Sequence, residues 1–314
     1  MRRLIRLCAI ALGWTIVILA AGLLTARQFG VTQITLVAFL VGIPFAALPT
    51  ALATALFAGA RSRVGFVTAL ALTLILAGIQ VPQFVAEGRT ANGPEITVMT
   101  INAAHGEADA DAIVDQVRTS GADILAVQEL TGAQVEALTS AGIDELLPYN
   151  STEPRPVADG SGLWSRTPLT DATTLSGFEF AQVQANTTVD GVDLTVVSFH
   201  AMSPAVPRHT VQWAEDLARM RGLMDSYPGT VIVAGDFNAT SDHRQFRDLA
   251  SDGFVDSADV AGSGLYRTFP SQRPLARLDH VVTSDTVDAT EVGPVAIPDS
   301  DHLAVTARLQ LPAA

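Results

Sequence analysis

The hydrophobic pattern changes period partway along the chain. Up to residue 85 it runs as three long apolar stretches, 7–26, 31–58 and 64–84, none holding an acidic residue. Each reaches the ~20 residues that a helix needs to cross a ~30 Å hydrocarbon core, so three transmembrane helices are expected. Gly42, Pro44 and Pro49 interrupt the second stretch. They are tolerable in a membrane helix and would kink it, the alternative being a re-entrant pair. An opening run of arginines before an apolar stretch has the form of a signal peptide, but two further stretches follow and no cleavage motif stands out. From Glu95 onward, short β-rich runs alternate with amphipathic ones, the mark of a layered α/β domain rather than an all-β sandwich.

In that second part, strands are expected at 96–102, 124–128, 162–165, 192–199, 231–236, 278–283 and 304–309, and helices at 109–119, 132–140, 210–226 and 242–250. Asp190-Gly191 between 182–189 and 192–199 is a two-residue hairpin signal. Hairpins beside β-α-β units imply mixed sheets, so the expected architecture is a four-layered α/β sandwich: two packed mixed β-sheets flanked by helices, preceded by a three-helix transmembrane anchor. The expected boundaries are 1–85 for the anchor, 86–94 (AEGRTANGP) for a linker and 95–314 for the soluble domain.

Charge sharpens this division. Residues 1–85 contain six arginines and no Asp or Glu; residues 86–314 contain 13 arginines and all 32 acidic residues, a formal charge of 13 − 32 = −19. Arg2, Arg3, Arg6, Arg61 and Arg63 fit a cytoplasmic side against Arg27 alone outside. With three crossings the soluble domain lies outside the cell, on a multi-pass protein of the cell membrane. Cys8 is the only cysteine, which excludes an intramolecular disulfide and a cysteine-based zinc site.

Polar residues recur at the ends of the expected strands, where a sheet scaffold presents reactive groups to a cleft. They are Asn102, Glu129, His200, Asp236, Asn238, Asp279, Asp301 and His302. Carboxylates and an amide oxygen suit a hard cation such as Mg²⁺, and imidazoles handle protons or steady a phosphoryl oxygen. Singly, each also has an ordinary explanation. Glu129 suits a helix N-terminus, Asp236 and Asn238 suit a turn, Asp301 can cap a turn, and His200 can be a semi-buried strand-end histidine. A serine hydrolase is disfavoured, because no G-x-S-x-G elbow precedes a helix and Ser300-Asp301-His302, adjacent in the chain, cannot form a triad. No H-E-x-x-H is present either.

Taken together, TINAAHG, ADILAVQEL, SGLWSR, VVSFHAMSP, VIVAGDFNAT, RLDHVVTS and SDH, in this order over nearly all of 95–309, resemble the endonuclease/exonuclease/phosphatase superfamily. The resemblance implies a metal-dependent phosphoric ester hydrolase using Mg²⁺ or Mn²⁺. It implies that Asn102 and Glu129 bind or position the metal, with Asp301 close to it. Asp236 would orient or deprotonate the attacking water, and Asn238 would hydrogen-bond the phosphate. His302, oriented by Asp279, would stabilise the transition state or move a proton, while His200 holds the place of a second histidine used for the leaving group. Ala104 stands where many nucleases of the family have a polar side chain. His105 follows it as a loop histidine, His280 should point to the face opposite Asp279, His209 and His243 read as surface residues, and Arg166 reads as structural.

The resemblance gives the reaction and not the substrate. A domain at −19 offers little to a long nucleic acid, whose binding rests on phosphate neutralisation by basic groups. A bilayer anchor suits a lipid or small phosphate ester, a diester or a monoester. The alternatives are an extracellular nuclease acting on DNA or RNA and a non-catalytic membrane-anchored binding protein. No protein partner is implied.

Overall fold

The computed structural model describes residues 1–88, 91–157 and 159–313, and the chain forms two compact units. One comprises Met1–Pro82 with Ser241–Arg244, the other Gln83–Thr240 with Gln245–Ala314.

The first unit contains α1 (Arg2–Ala26), α2 (Ile34–Leu40), α3 (Ala47–Gly59) and α4 (Arg63–Gly78). At 25 residues and a rise of 1.5 Å per residue, α1 is ~37 Å long, and it is apolar enough to cross a membrane. The expected second span is broken. Pro44 lies in a 3₁₀ turn, Ile43–Phe45, where it can neither donate a helical hydrogen bond nor avoid the preceding carbonyl, and the chain bends by 47° between α2 and residues 43–59. The third span, α4, has 16 residues, ~24 Å of helix. The three expected spans therefore reduce to one, or two if the bent pair crosses as one.

Phe57 anchors this unit. A Cβ on Gly13 or Gly65 would stand 2.6 or 2.3 Å from its ring, so only glycine lets the neighbouring helices approach, and Trp14 meets the same ring edge-on at 5.4 Å. Leu19, Leu48, Leu74 and Val67, on the outer faces of these helices, are exposed. His243 corrects its surface assignment: it is buried, with Nε2 3.0 Å from the Val37 carbonyl.

In the second unit the strands are β1 (Glu95–Asn102), β2 (Ile124–Gln128), β3 (Tyr149–Glu153), β4 (Ser161–Ser165), β5 (Thr170–Thr174), β6 (Val183–Val189), β7 (Val192–His200), β8 (Thr230–Asp236), β9 (Phe254–Asp256), β10 (Asp279–Ser284), β11 (Asp288–Ala296) and β12 (Leu303–Gln310). They form two six-stranded sheets, β11-β12-β1-β2-β4-β3 and β5-β6-β7-β8-β10-β9. Both are mixed, with β1 parallel to β2 and β7 parallel to β8. The expected linker belongs to this unit: the Glu87 N–H donates to the Val260 carbonyl and the Gly93 N–H to the Leu311 carbonyl, each at 2.9 Å. Arg89 and Thr90 lie outside the described residues.

Alternation along the strands builds the layers. Ile96 and Val98 of β1 enter the core between the sheets with Ile124, Val196, Ile232 and Val281. Met99 and Ile101 face the other way, against α5 (Ala110–Ser120) and α6 (Gly132–Ser140). Asp109 caps α5 by accepting the Ala112 N–H at 3.0 Å, a contact worth ~1 kcal/mol, and Gly121 ends it at φ 67°. The sheets are also joined by polar contacts. Gln128 Oε1 accepts from Thr100 at 3.1 Å and its Nε2 donates to Ser198 Oγ at 3.0 Å, which in turn is 2.8 Å from Ser161 Oγ. These groups are buried and satisfied, as an interior requires, and Thr100, Gln128 and Ser198 stand in strands that end at or directly before the site residues Asn102, Glu129 and His200.

Candidate active site

Strand register gathers the polar ends. His200 is the β7 partner of Asp236 on β8, and Asp279 on β10 is the antiparallel partner of the same Asp236. Asn102 closes β1 beside Gln128, directly before Glu129. His302 precedes β12, the antiparallel neighbour of β1.

Asp236 is the hub. Its Oδ2 stands 3.7 Å from Nε2 of both His200 and His302 and accepts from Asn102 Nδ2 at 3.2 Å, while its Oδ1 accepts the Asn238 N–H at 2.8 Å. Burial, reinforced by the Asp279 charge, pushes its carboxyl up to about 6 against the opposing pull of His302 and His200. His302 Nδ1 meets Asp279 Oδ2 at 2.8 Å. Burial alone would lower this imidazole, but the Asp279 and Asp236 charges prevail and push it up to about 10. Between those values the site holds a carboxylate facing an imidazolium.

His200 is held by other means. Gln182, fully buried, accepts the His200 N–H at 2.6 Å and donates to the His200 carbonyl at 2.7 Å. Phe180 lies against its ring at 4.6 Å between centroids, and its Nδ1 has no protein partner among the described residues. The segments that follow β7 and β8 are fastened to one helix, α7 (Pro207–Met224). Asp216 accepts the Met202 N–H at 2.9 Å and Trp213 Nε1 donates to the Phe237 carbonyl at 3.2 Å. Burial raises the Asp216 carboxyl.

Glu129 Oε1 accepts from Asn102 Nδ2 at 3.0 Å, and its Oε2 accepts the His105 N–H at 2.7 Å; His105 Nδ1 lies 2.9 Å from that oxygen. Ala104, His105, Glu129 and Asn238 all have φ between 47° and 59°. Such backbone is costly for side chains with a Cβ and collects at functional sites. Asn238 Nδ2 also donates to the Ala201 carbonyl at 3.0 Å, joining the β7 and β8 loops. Asp301 is exposed, and its charge acts on His302.

Asn102, Glu129, Asp236, Asn238, Asp279, His200 and His302 thus stand together, with Asp301 at the rim. Among the described residues, Asp236, Asp279 and His302 form a group able to ligate a metal, with ligand atoms within 4.8 Å of one another. The donor chemistry fits a divalent cation, since Glu129 and Asp301 offer carboxylate oxygens and Asn102 an amide oxygen, the hard donors Mg²⁺ takes. His280 faces away from Asp279 as expected, buried between Asp256 (2.8 Å) and the Ala239 carbonyl (3.0 Å). Arg166 is structural, tied to Asp123 at 2.7 Å and to the Ala122 carbonyl at 2.8 Å. Gln182, Phe180 and Asp216 were not singled out from the sequence. Gln182 directly precedes β6, whose own Gln184, Asn186, Thr187 and Thr188 left its amide without contrast in the sequence.

No curated protein sequence matches the chain. Solved structures share the fold. Danio rerio TDP2 humanised by 14 mutations is 15% identical with a TM-score of 0.59, over 68% of this chain and 98% of that one. An endonuclease/exonuclease/phosphatase from Beutenbergia cavernae is 18% identical with a TM-score of 0.54, over 69% and 72%. Danio rerio TDP2 complexed with a single-strand DNA product is 13% identical with a TM-score of 0.56, over 68% and 98%. Residues 99–302 match the model of the Endonuclease/Exonuclease/phosphatase family, and with the two mixed sheets and the polar cluster at their ends, the chain belongs to this family of phosphate-ester hydrolases.

Proposed function

We propose that this protein is a metal-dependent hydrolase of phosphate esters, attached to a membrane by its apolar N-terminal helices, with its catalytic unit outside the cytoplasm. The observation that carries the catalytic reading is Asp236, equidistant from two histidines of which one is paired with Asp279. A phosphate ester is anionic and repels its nucleophile, so hydrolysis needs positive charge on the phosphoryl oxygens and a positioned water. Asp236 orients that water and takes its proton. His302, kept protonated by Asp279 and Asp236, donates toward the phosphoryl group. His200 offers its Nε2 on the other side of Asp236, and Asn238 offers an amide N–H₂ from a fixed loop. Asn102, Glu129 and Asp301 are the residues proposed to hold the Mg²⁺ or Mn²⁺ ion, which when bound supplies charge neutralisation at the phosphate.

The favoured substrate is a lipid or small phosphate ester, because the segment from residue 86 onward carries −19 and lacks the basic excess that grips long nucleic acids. The second reading, a nuclease, is supported by the relative solved with a single-strand DNA product. A non-catalytic binding protein is disfavoured by the completeness of the polar set. Attachment is supported by the length of α1 and the exposed apolar faces of its neighbours, and orientation by Arg2, Arg3 and Arg6 before the span.

With the full chain in detergent, hydrolysis of bis-p-nitrophenyl phosphate should stop in EDTA and return with Mg²⁺ or Mn²⁺. Glu129→Gln should need more metal for half activation. Full activity in chelator would overturn the metal-dependent reading. Phospholipid, nucleotide and single-stranded DNA substrates tested side by side separate the two substrate readings. An alkaline phosphatase fusion after Glu95 should be active in cells; an inactive one would reverse the orientation.

A further inference from the structure

We propose that the arginine-bearing end of the N-terminal helices is a binding site for the headgroup of an anionic phospholipid. The inference rests on the membrane attachment proposed above and goes beyond it, from a bilayer as surroundings to one lipid as ligand. Between the start of α1 and the end of α3 lies a cavity of about 680 Å³ lined by Arg2, Arg6 and Arg61 over Ala9, Leu56 and Gly59. Its size is that of a small-molecule site.

Three features decide its occupant. Residues 1–85 contain no carboxylate, so no acidic side chain of this segment neutralises the three guanidiniums. Each offers a planar fork that matches two phosphate oxygens, and their charge repels the cationic end of a zwitterionic headgroup. Depth is the second feature. At ~37 Å, α1 exceeds a ~30 Å hydrocarbon core, so its first turn reaches headgroup level. The third is the groove beneath. Helical spacing continues the cavity stripe from Ile5 and Ala9 into Leu12, and from Leu56 and Ala55 back into Leu52 and Leu48. Ile5, Leu12, Leu48 and Leu52 are all at least half exposed, a path for an acyl chain into the bilayer. Free phosphate would leave that path unused, which favours a lipid.

The test uses full-length protein and two readouts. Flotation with phosphatidylcholine vesicles asks whether the chain inserts at all; failure to float would remove the attachment reading and this inference with it. Native mass spectrometry then compares retained phosphatidylglycerol with retained phosphatidylcholine. Wild type should retain phosphatidylglycerol at one per chain with at least about tenfold preference, undisplaced by millimolar inorganic phosphate. Arg6→Ala with Arg61→Ala should lose the preference while still floating, whereas Arg3→Ala, which removes a charge of the same segment outside the cavity lining, should keep it. Equal retention of the two lipids by wild type, equal loss in Arg3→Ala, displacement by phosphate, or unchanged preference in the double variant would each overturn the site while leaving the anchor intact.

Discussion

His302 and His200 face the same oxygen of Asp236 at the same 3.7 Å, yet the two halves of the site hold them by different physics. His302 is held through its ring, with Asp279 on Nδ1 and Phe269 against its face at 4.7 Å. His200 is held through its main chain, by Gln182 on both its N–H and its carbonyl, and its ring touches Phe180 rather than a second carboxylate. One histidine is tuned by charge, the other by position. The first should therefore lose proton chemistry when its partner is neutralised, and the second should lose alignment when its clamp is removed.

The strongest way to break this contrast is His302→Ala, for which turnover should fall by ~10²–10⁴-fold, the usual worth of a positioned acid. Steady-state kcat on a diester checks it. Asp279→Asn keeps the shape of the partner and removes its charge, and should cost about 10- to 100-fold in kcat. It should also move the alkaline limb of kcat/KM downward, because His302, pushed up to about 10, loses the first of the charges that raise it and returns toward ~6.5. The sign for stability is fixed by the same shift. A raised histidine contributes stability in full below ~6.5, and that contribution is lost as pH rises through about 10; Asp279→Asn should flatten Tm across this window.

On the other side, Gln182→Leu should lower kcat by about tenfold, a fraction of what an acid contributes. It should leave the alkaline limb where it is, and lower stability by ~1–3 kcal/mol because two buried backbone groups lose their partner. A pH limb that moved with Gln182 would erase the distinction between the two histidines. The smallest effect belongs to Glu291→Gln on the edge strand β11, whose side chain is 75% exposed. Stability should stay within ~0.5 kcal/mol and kcat should be unchanged.

What could be read from the sequence follows the same division between centre and edge. The strands expected from pattern include β1, β2, β4, β7, β8, β10 and β12, and the hairpin at Asp190-Gly191 adds β6; all of these lie inside the sheets. The four that gave no signal, β3, β5, β9 and β11, are the four sheet edges. An edge strand is paired on one side only and is free to be polar, as the fully exposed run of β5 is. Chemistry behaved likewise. Asp236, His302 and Asn102 stand at the ends of buried strands, where their polarity interrupts an apolar run. Gln182 and Asp216 act through main-chain groups of residues 18 and 14 positions away, and local pattern carries no trace of that. In the N-terminal unit, apolar run length suggested three spans, but Pro44 and the short α4 set the helices. Hydropathy sees composition, while a span also needs an unbroken hydrogen-bond ladder.

The central claim is that Asp236 orients and deprotonates the attacking water in a metal-dependent hydrolysis. Its most direct test is kcat of Asp236→Asn on bis-p-nitrophenyl phosphate with saturating Mg²⁺ at pH 8, beside its thermal melt. The expected result is a loss of at least ~100-fold with a cooperative melt no lower than wild type in chelator, because burial disfavours the charge that the substitution removes. A folded Asp236→Asn protein that kept more than about a tenth of wild-type kcat, far above the weakest loss expected of a positioned base, would contradict it.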